Sequence, residues 1–91
     1  MTFKMTWALV AEHADEWTGD SYRQATMILK ERVDAAVSAS GMNAEAQAHW
    51  RETFLGPLRE SLFTEGRSAV EAGRDWSKAA GPLLVALTPT S

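Results

Sequence analysis

Apolar residues in the first segment recur at Phe3, Trp7, Val10, Ala14 and Trp17, in steps of four, three, four and three. That spacing is the seam of a helix packed against another helix. His13, Asp15 and Glu16 fall largely off the seam, and the pattern meets Gly19-Asp20 soon after Trp17. Helical periodicity resumes through Tyr22, Ala25, Leu29, Val33 and Ala36. This second stripe runs one residue late relative to the first, a rotation of about 100° on a helical wheel. A break at Thr18-Gly19-Asp20 accounts for the shift, with Asp20 as the N-cap of a new helix.

The segment Ser38-Ala39-Ser40-Gly41-Met42-Asn43 is the clearest boundary. Gly41 suits a left-handed helix C-cap and Asn43 suits the next N-cap. Helices joined by so short a loop fold back antiparallel. From Ala44 the pattern is helical again, with Trp50 and Phe54 four apart, until Gly56-Pro57 imposes a kink or a fresh start. Beyond it Leu58, Leu62, Gly66, Ala69, Gly73, Trp76 and Ala80 line one side, while Glu60, Arg67, Glu71, Arg74, Asp75 and Lys78 line the other. Glycines on an apolar helix face point to close approach by another backbone, since each costs roughly 1 kcal/mol against alanine in a helix. Gly81-Pro82 ends this helix, and residues 82–91 form a tail whose apolar run Leu83-Leu84-Val85-Ala86-Leu87 adds a last turn or lies extended. No second strand of comparable quality is visible, so no sheet is expected. The expectation is one all-α domain over residues 1–91, with three to four helices and an antiparallel helical hairpin around Ser38–Asn43.

Composition narrows the class. A chain of 91 residues has a thin stability margin, and with no cysteine it has no disulfide to add to it. Four tryptophans and three phenylalanines demand cover, which makes association the default expectation. The net charge of −3, with no basic run, argues against a nucleic-acid partner. The start of the chain lacks the apolar run of a secretory signal, and no stretch approaches the roughly 20 apolar residues of a membrane span. A cytoplasmic location, or export without a cleavable signal peptide, is expected.

Candidate chemistry is sparse. Glu45 and His49 sit four apart with Glu52 beyond, a spacing able to put carboxylate and imidazole on one metal. A metal-binding bundle needs further carboxylates converging from other helices, so a surface hydrogen bond beside Trp50 is the simpler reading. His13, between Glu12 and Glu16, has the setting of a pH-sensitive interface residue or of an ordinary half-exposed histidine. The serines stand at no recognisable offset from a histidine, and no nucleophile elbow, P-loop, dinucleotide fingerprint or zinc spacing occurs. No catalytic, cofactor or metal residue is nominated, and no enzyme is expected. Apolar residues off the inferred core are more informative. Met27 projects among charged neighbours, Phe63 and Val70 border the two faces of the last helix, and Trp76 and the tail residues Leu83, Leu84 and Leu87 extend the apolar surface. Together they predict a partner-binding patch.

The segment Glu16-Trp17-Thr18-Gly19-Asp20-Ser21-Tyr22-Arg23-Gln24-Ala25 resembles the WXG100 family of type VII secretion, in which Trp-x-Gly precedes small and aromatic helix positions. The resemblance implies a small dimeric helical hairpin protein of an actinobacterial or related host, exported by that machinery or acting with it. Trp17 and Gly19 would carry over as the turn and its packing anchor, which adds them to the partner-binding set. The functional expectation is a non-enzymatic interaction subunit of a larger assembly, as a homo- or hetero-oligomer. The rivals are a phage or virion component, a small regulatory or inhibitory protein, and, last, a metal-binding helical bundle.

Overall fold

The computed structural model describes residues 2–9 and 13–90, and of His13 the backbone alone. Val10, which the helical stripe used, and Glu12 beside His13 lie outside the described residues, as does the His13 side chain. The chain runs through β1 (Phe3–Leu9), β2 (His13–Gly19), helix α1 (Tyr22–Ser38), helix α2 (residues 44–71), β3 (Trp76–Ala80) and β4 (Leu83–Pro89). The strands form one sheet in the order β2-β1-β4-β3, and every neighbouring pair is antiparallel. Both helices pack on the sheet, giving a two-layer α+β architecture.

The all-α expectation is therefore overturned, and the reason lies in the period. Phe3, Met5, Trp7 and Leu9 are buried, and Lys4, Thr6 and Ala8 between them are not. Burial on alternate residues is the signature of a strand with one covered face. Phe3 and Trp7 are four apart, a spacing that two strand repeats satisfy as readily as one helical turn. Met5 and Leu9, which the helical stripe skipped, decide the matter.

Of the two alternatives for the apolar run from Leu83, the extended one holds, as strand β4 over Leu83–Pro89. Strand β4 lies in the sheet interior, paired with β1 from Phe3↔Pro89 to Leu9↔Leu83 and with β3 from Trp76↔Leu87 to Ala80↔Leu83. Its own alternation buries Leu83, Val85 and Leu87 and exposes Leu84. The last helix stops well before Ala80: Gly73 adopts φ 75°, a left-handed turn that ends α2 and releases the chain into β3. The sequence reading put another backbone close to Gly66, but the atoms that approach it are side chains of the sheet. A Cβ there would lie 2.9 Å from Leu87 Cδ1 and 3.0 Å from Trp76 Cε3, so the glycine lets α2 settle onto β3 and β4.

Helix α1 begins at Ser21, not Asp20, because the Gln24 amide donates to Ser21 Oγ at 3.1 Å. It buries Ala25, Leu29, Val33 and Val37. Helix α2 begins where Asn43 Oδ1 accepts from the Ala46 amide at 2.8 Å. It then runs through Gly56-Pro57 without a break. Two π-helical segments, Arg51–Leu55 and Leu62–Gly66, interrupt its α-helical pitch. The Gly56 amide donates to the Arg51 carbonyl five residues back. That wider turn directly precedes Pro57, which has no amide to donate and crowds a regular helix.

The two helices are tied by Asp34, whose carboxylate accepts from Lys30 Nζ at 2.9 Å and from Arg51 Nε at 2.7 Å. Partial burial alone would raise the Asp34 carboxyl, but the hydrogen bonds and charges of Lys30 and Arg51 outweigh it and hold the group below the ordinary aspartate value. A carboxyl depressed in the folded state stabilises the fold above its unfolded value, near pH 3.9, and loses that contribution as pH falls through its folded value. Wild type is thus expected to exceed Asp34→Asn in stability at neutral pH. The gap should close as the pH drops below about 4, read by denaturant unfolding across that range.

Candidate interaction surface

The sheet has two unlike faces. Against the helices lie Phe3, Met5, Trp7, Leu9, Leu83, Val85 and Leu87, all buried. On the opposite face the strand registers place side chains in rows running across all or most of the sheet. One row reads Ala14, Ala8, Leu84, Ala79; the next reads Glu16, Thr6, Ala86, Ser77; a third reads Thr18, Lys4, Thr88. No described helix covers this face. The first row is wholly apolar. Among the described residues in these rows the charged ones are Lys4 and Glu16, which pair with each other at 3.7 Å.

Leu84 stands out of this surface, 46% exposed. Beside it lies a shallow open trough of about 490 Å³, lined mainly by Thr6, Ala8, Ala14, Glu16, Leu84 and Ala86. Methyl groups form most of its floor. An antiparallel sheet with one wet face ordinarily turns polar side chains to the water. Here four alanines and a leucine take such positions.

The nine residues expected to form one partner patch are scattered. Val70, Leu83 and Leu87 are fully buried, so the chain's own core uses them. Trp76 is half-buried on the helix side of β3. Met27 and Phe63 are exposed, but on the helix layer, away from Leu84. Trp17 and Gly19 end strand β2 and do not form a turn between helices. Trp17 meets Phe3 edge to face at 5.8 Å, and Phe3 stacks on Tyr22 at 4.6 Å. A Cβ at Gly19 would overlap the Trp17 indole, so the glycine makes room for this aromatic corner. The Arg67 guanidinium caps the corner, 5.7 Å from the Tyr22 ring and 5.9 Å from that of Phe63. Burial pushes the Tyr22 phenol up, the Glu71 carboxylate adds to this, and Arg67 opposes it.

Among the described residues no three His, Cys, Asp or Glu side chains are grouped to hold a metal ion. Glu45 and His49 lie on the exposed surface of α2, where His49 Nε2 is 3.5 Å from Thr53 Oγ1. No described helix is long and apolar enough to cross a membrane. The chain matches no protein-family model, and neither curated proteins nor solved structures show significant similarity to it.

The surface residues that sequence reasoning missed are Thr6, Ala8, Ala79 and Ala86. Their signal was the alternation within residues 3–9 and 83–87. The two faces make a direct prediction for adjacent residues. Leu83→Ala is expected to cost about 2–5 kcal/mol, whereas Leu84→Ser should change stability by no more than about 0.5 kcal/mol. Urea unfolding of both variants checks the contrast.

Proposed function

We propose that the chain is a non-catalytic interaction subunit that docks on another protein surface through the open face of its sheet. The observation that carries this reading is the apolar row Ala14, Ala8, Leu84, Ala79 on a face that no described helix covers. Exposed contiguous apolar surface on so small a domain marks a contact site more often than an accident of composition.

Two further features support it. The sheet's edges are guarded. Edge strand β2 carries Asp15 and Glu16, and edge strand β3 is five residues long and carries Lys78, which bonds to Ser61 Oγ at 3.0 Å. Charges and shortness both discourage strand addition, which leaves the face as the route to a partner. The trough also lacks the makings of an active site. Its floor is mostly methyl groups, and its two acidic lining residues are both paired, Glu16 with Lys4 and Asp15 with Arg32. General acid–base or nucleophilic work needs convergent polar groups in a concave site.

The test is the native mass of the assembly isolated from cells expressing wild type or Leu84→Glu. Wild type is expected in a particle larger than 10.0 kDa, and the variant at the mass of the free chain. A variant that stays in the assembly, with its fold intact by circular dichroism, would count against the docking face.

A further inference from the structure

We infer that the open face is self-complementary and pairs with the same face of a second copy about a two-fold axis. This rests on the docking reading above and names its occupant.

The first argument is shape. An isologous contact needs a projection and a matching hollow on the same face, because each copy must supply both. Leu84 is the projection, on β4. The hollow is the trough over β1 and β2, floored by Ala8 and Ala14, which lie in the same row as Leu84. Two strand spacings, about 10 Å, separate Leu84 from Ala14 across that row. A two-fold axis between them seats each leucine over the other copy's alanines. Flat alanine surfaces alone would meet with little interdigitation, and the projecting leucines fill the space that the alanines leave.

The second argument is charge. The chain carries a net −3, yet among the described residues the charged side chains of the open face are Lys4 and Glu16, which offset each other. Two copies can therefore approach by this face without like-charge repulsion. The helix layer offers no comparable neutral, continuous surface: Met27 and Phe63 stand among Arg23, Lys30, Glu60 and Arg67.

The third argument is area, which sets the strength. Four strands about 4.8 Å apart and about 20 Å long present about 400 Å² per copy. Two copies would bury about 800 Å² in total, short of the roughly 1,200–2,000 Å² of a stable complex. The dimer is accordingly weak and concentration-dependent.

The experiment is sedimentation of the purified chain from about 10 μM to 1 mM, a span suited to weak association. The weight-average mass should rise from 10.0 kDa towards twice that value. Leu84→Glu, which puts a carboxylate over the alanine floor beside Glu16 of the other copy, and Ala14→Arg, which fills the hollow, should each abolish the rise. Met27→Glu and Phe63→Glu should leave it unchanged. Mixing the Leu84→Glu and Ala14→Arg chains should restore the dimer, because one contact then joins the introduced carboxylate to the introduced guanidinium and the other is native. Circular dichroism and urea unfolding establish that each variant is folded. A monomer at every concentration, a dimer lost through the helix-layer variants, or no rescue on mixing overturns the inference. The docking reading would survive the first of these results if Leu84→Glu still left the native assembly, and would fall with it if it did not.

Discussion

The pairing of β1 with β4 is the constraint from which the rest of the molecule follows. It joins Phe3–Leu9 to Leu83–Pro89, segments about 80 residues apart in the chain, as the two central strands of the sheet. Each strand brings an alternating apolar set, and the two sets meet the helices as one surface of Phe3, Met5, Trp7, Leu9, Leu83, Val85 and Leu87. Burying a side chain of this size stabilises by about 1.5–3 kcal/mol. The same alternation turns Leu84, Ala86, Thr6 and Ala8 outward together. Core and open face are thus two consequences of one register, since a slip of one residue would exchange the faces.

The helical layer fits this sheet by local adjustment. Gly66 removes a side chain where α2 meets Leu87 and Trp76, and Gly19 removes one where β2 meets the Trp17 ring. The π-helical segments of α2 add residues to its turns, one of them directly before Pro57. Together they let a helix of 28 residues, from 44 to 71, follow the sheet past Gly56-Pro57 without breaking. Asp34, held between Lys30 and Arg51, fastens the two helices to one another.

The helices were legible in the sequence where their signals are local. Ala25, Leu29 and Val33 recur at helical spacing and are buried, and Asn43 caps the helix that it precedes. The strands were not, for physical reasons. Phe3 and Trp7 fit both periods, and Trp76 with Ala80 repeats the same ambiguity four residues apart. The partner of Leu83–Leu87 lies at the other end of the chain, so no window of neighbouring residues contains the pair. The open face was harder still. Alanine and threonine carry no chemical signature, and Ala8, Ala14, Ala79 and Ala86 become a surface only when four strands bring them together. The aromatic residues that drew attention, Trp17 and Trp76, are half-buried and pack against Phe3 and beside Gly66.

The central claim is that neighbouring residues of β4 face a core on one side and a protein contact on the other. Relaxation of methyl signals by a soluble paramagnetic chelate, recorded for the free chain and for its native complex, tests this most directly. The account predicts that Leu83 stays shielded in both states, while Leu84 is broadened in the free chain and shielded in the complex. Equal broadening of Leu84 in the two states would contradict it.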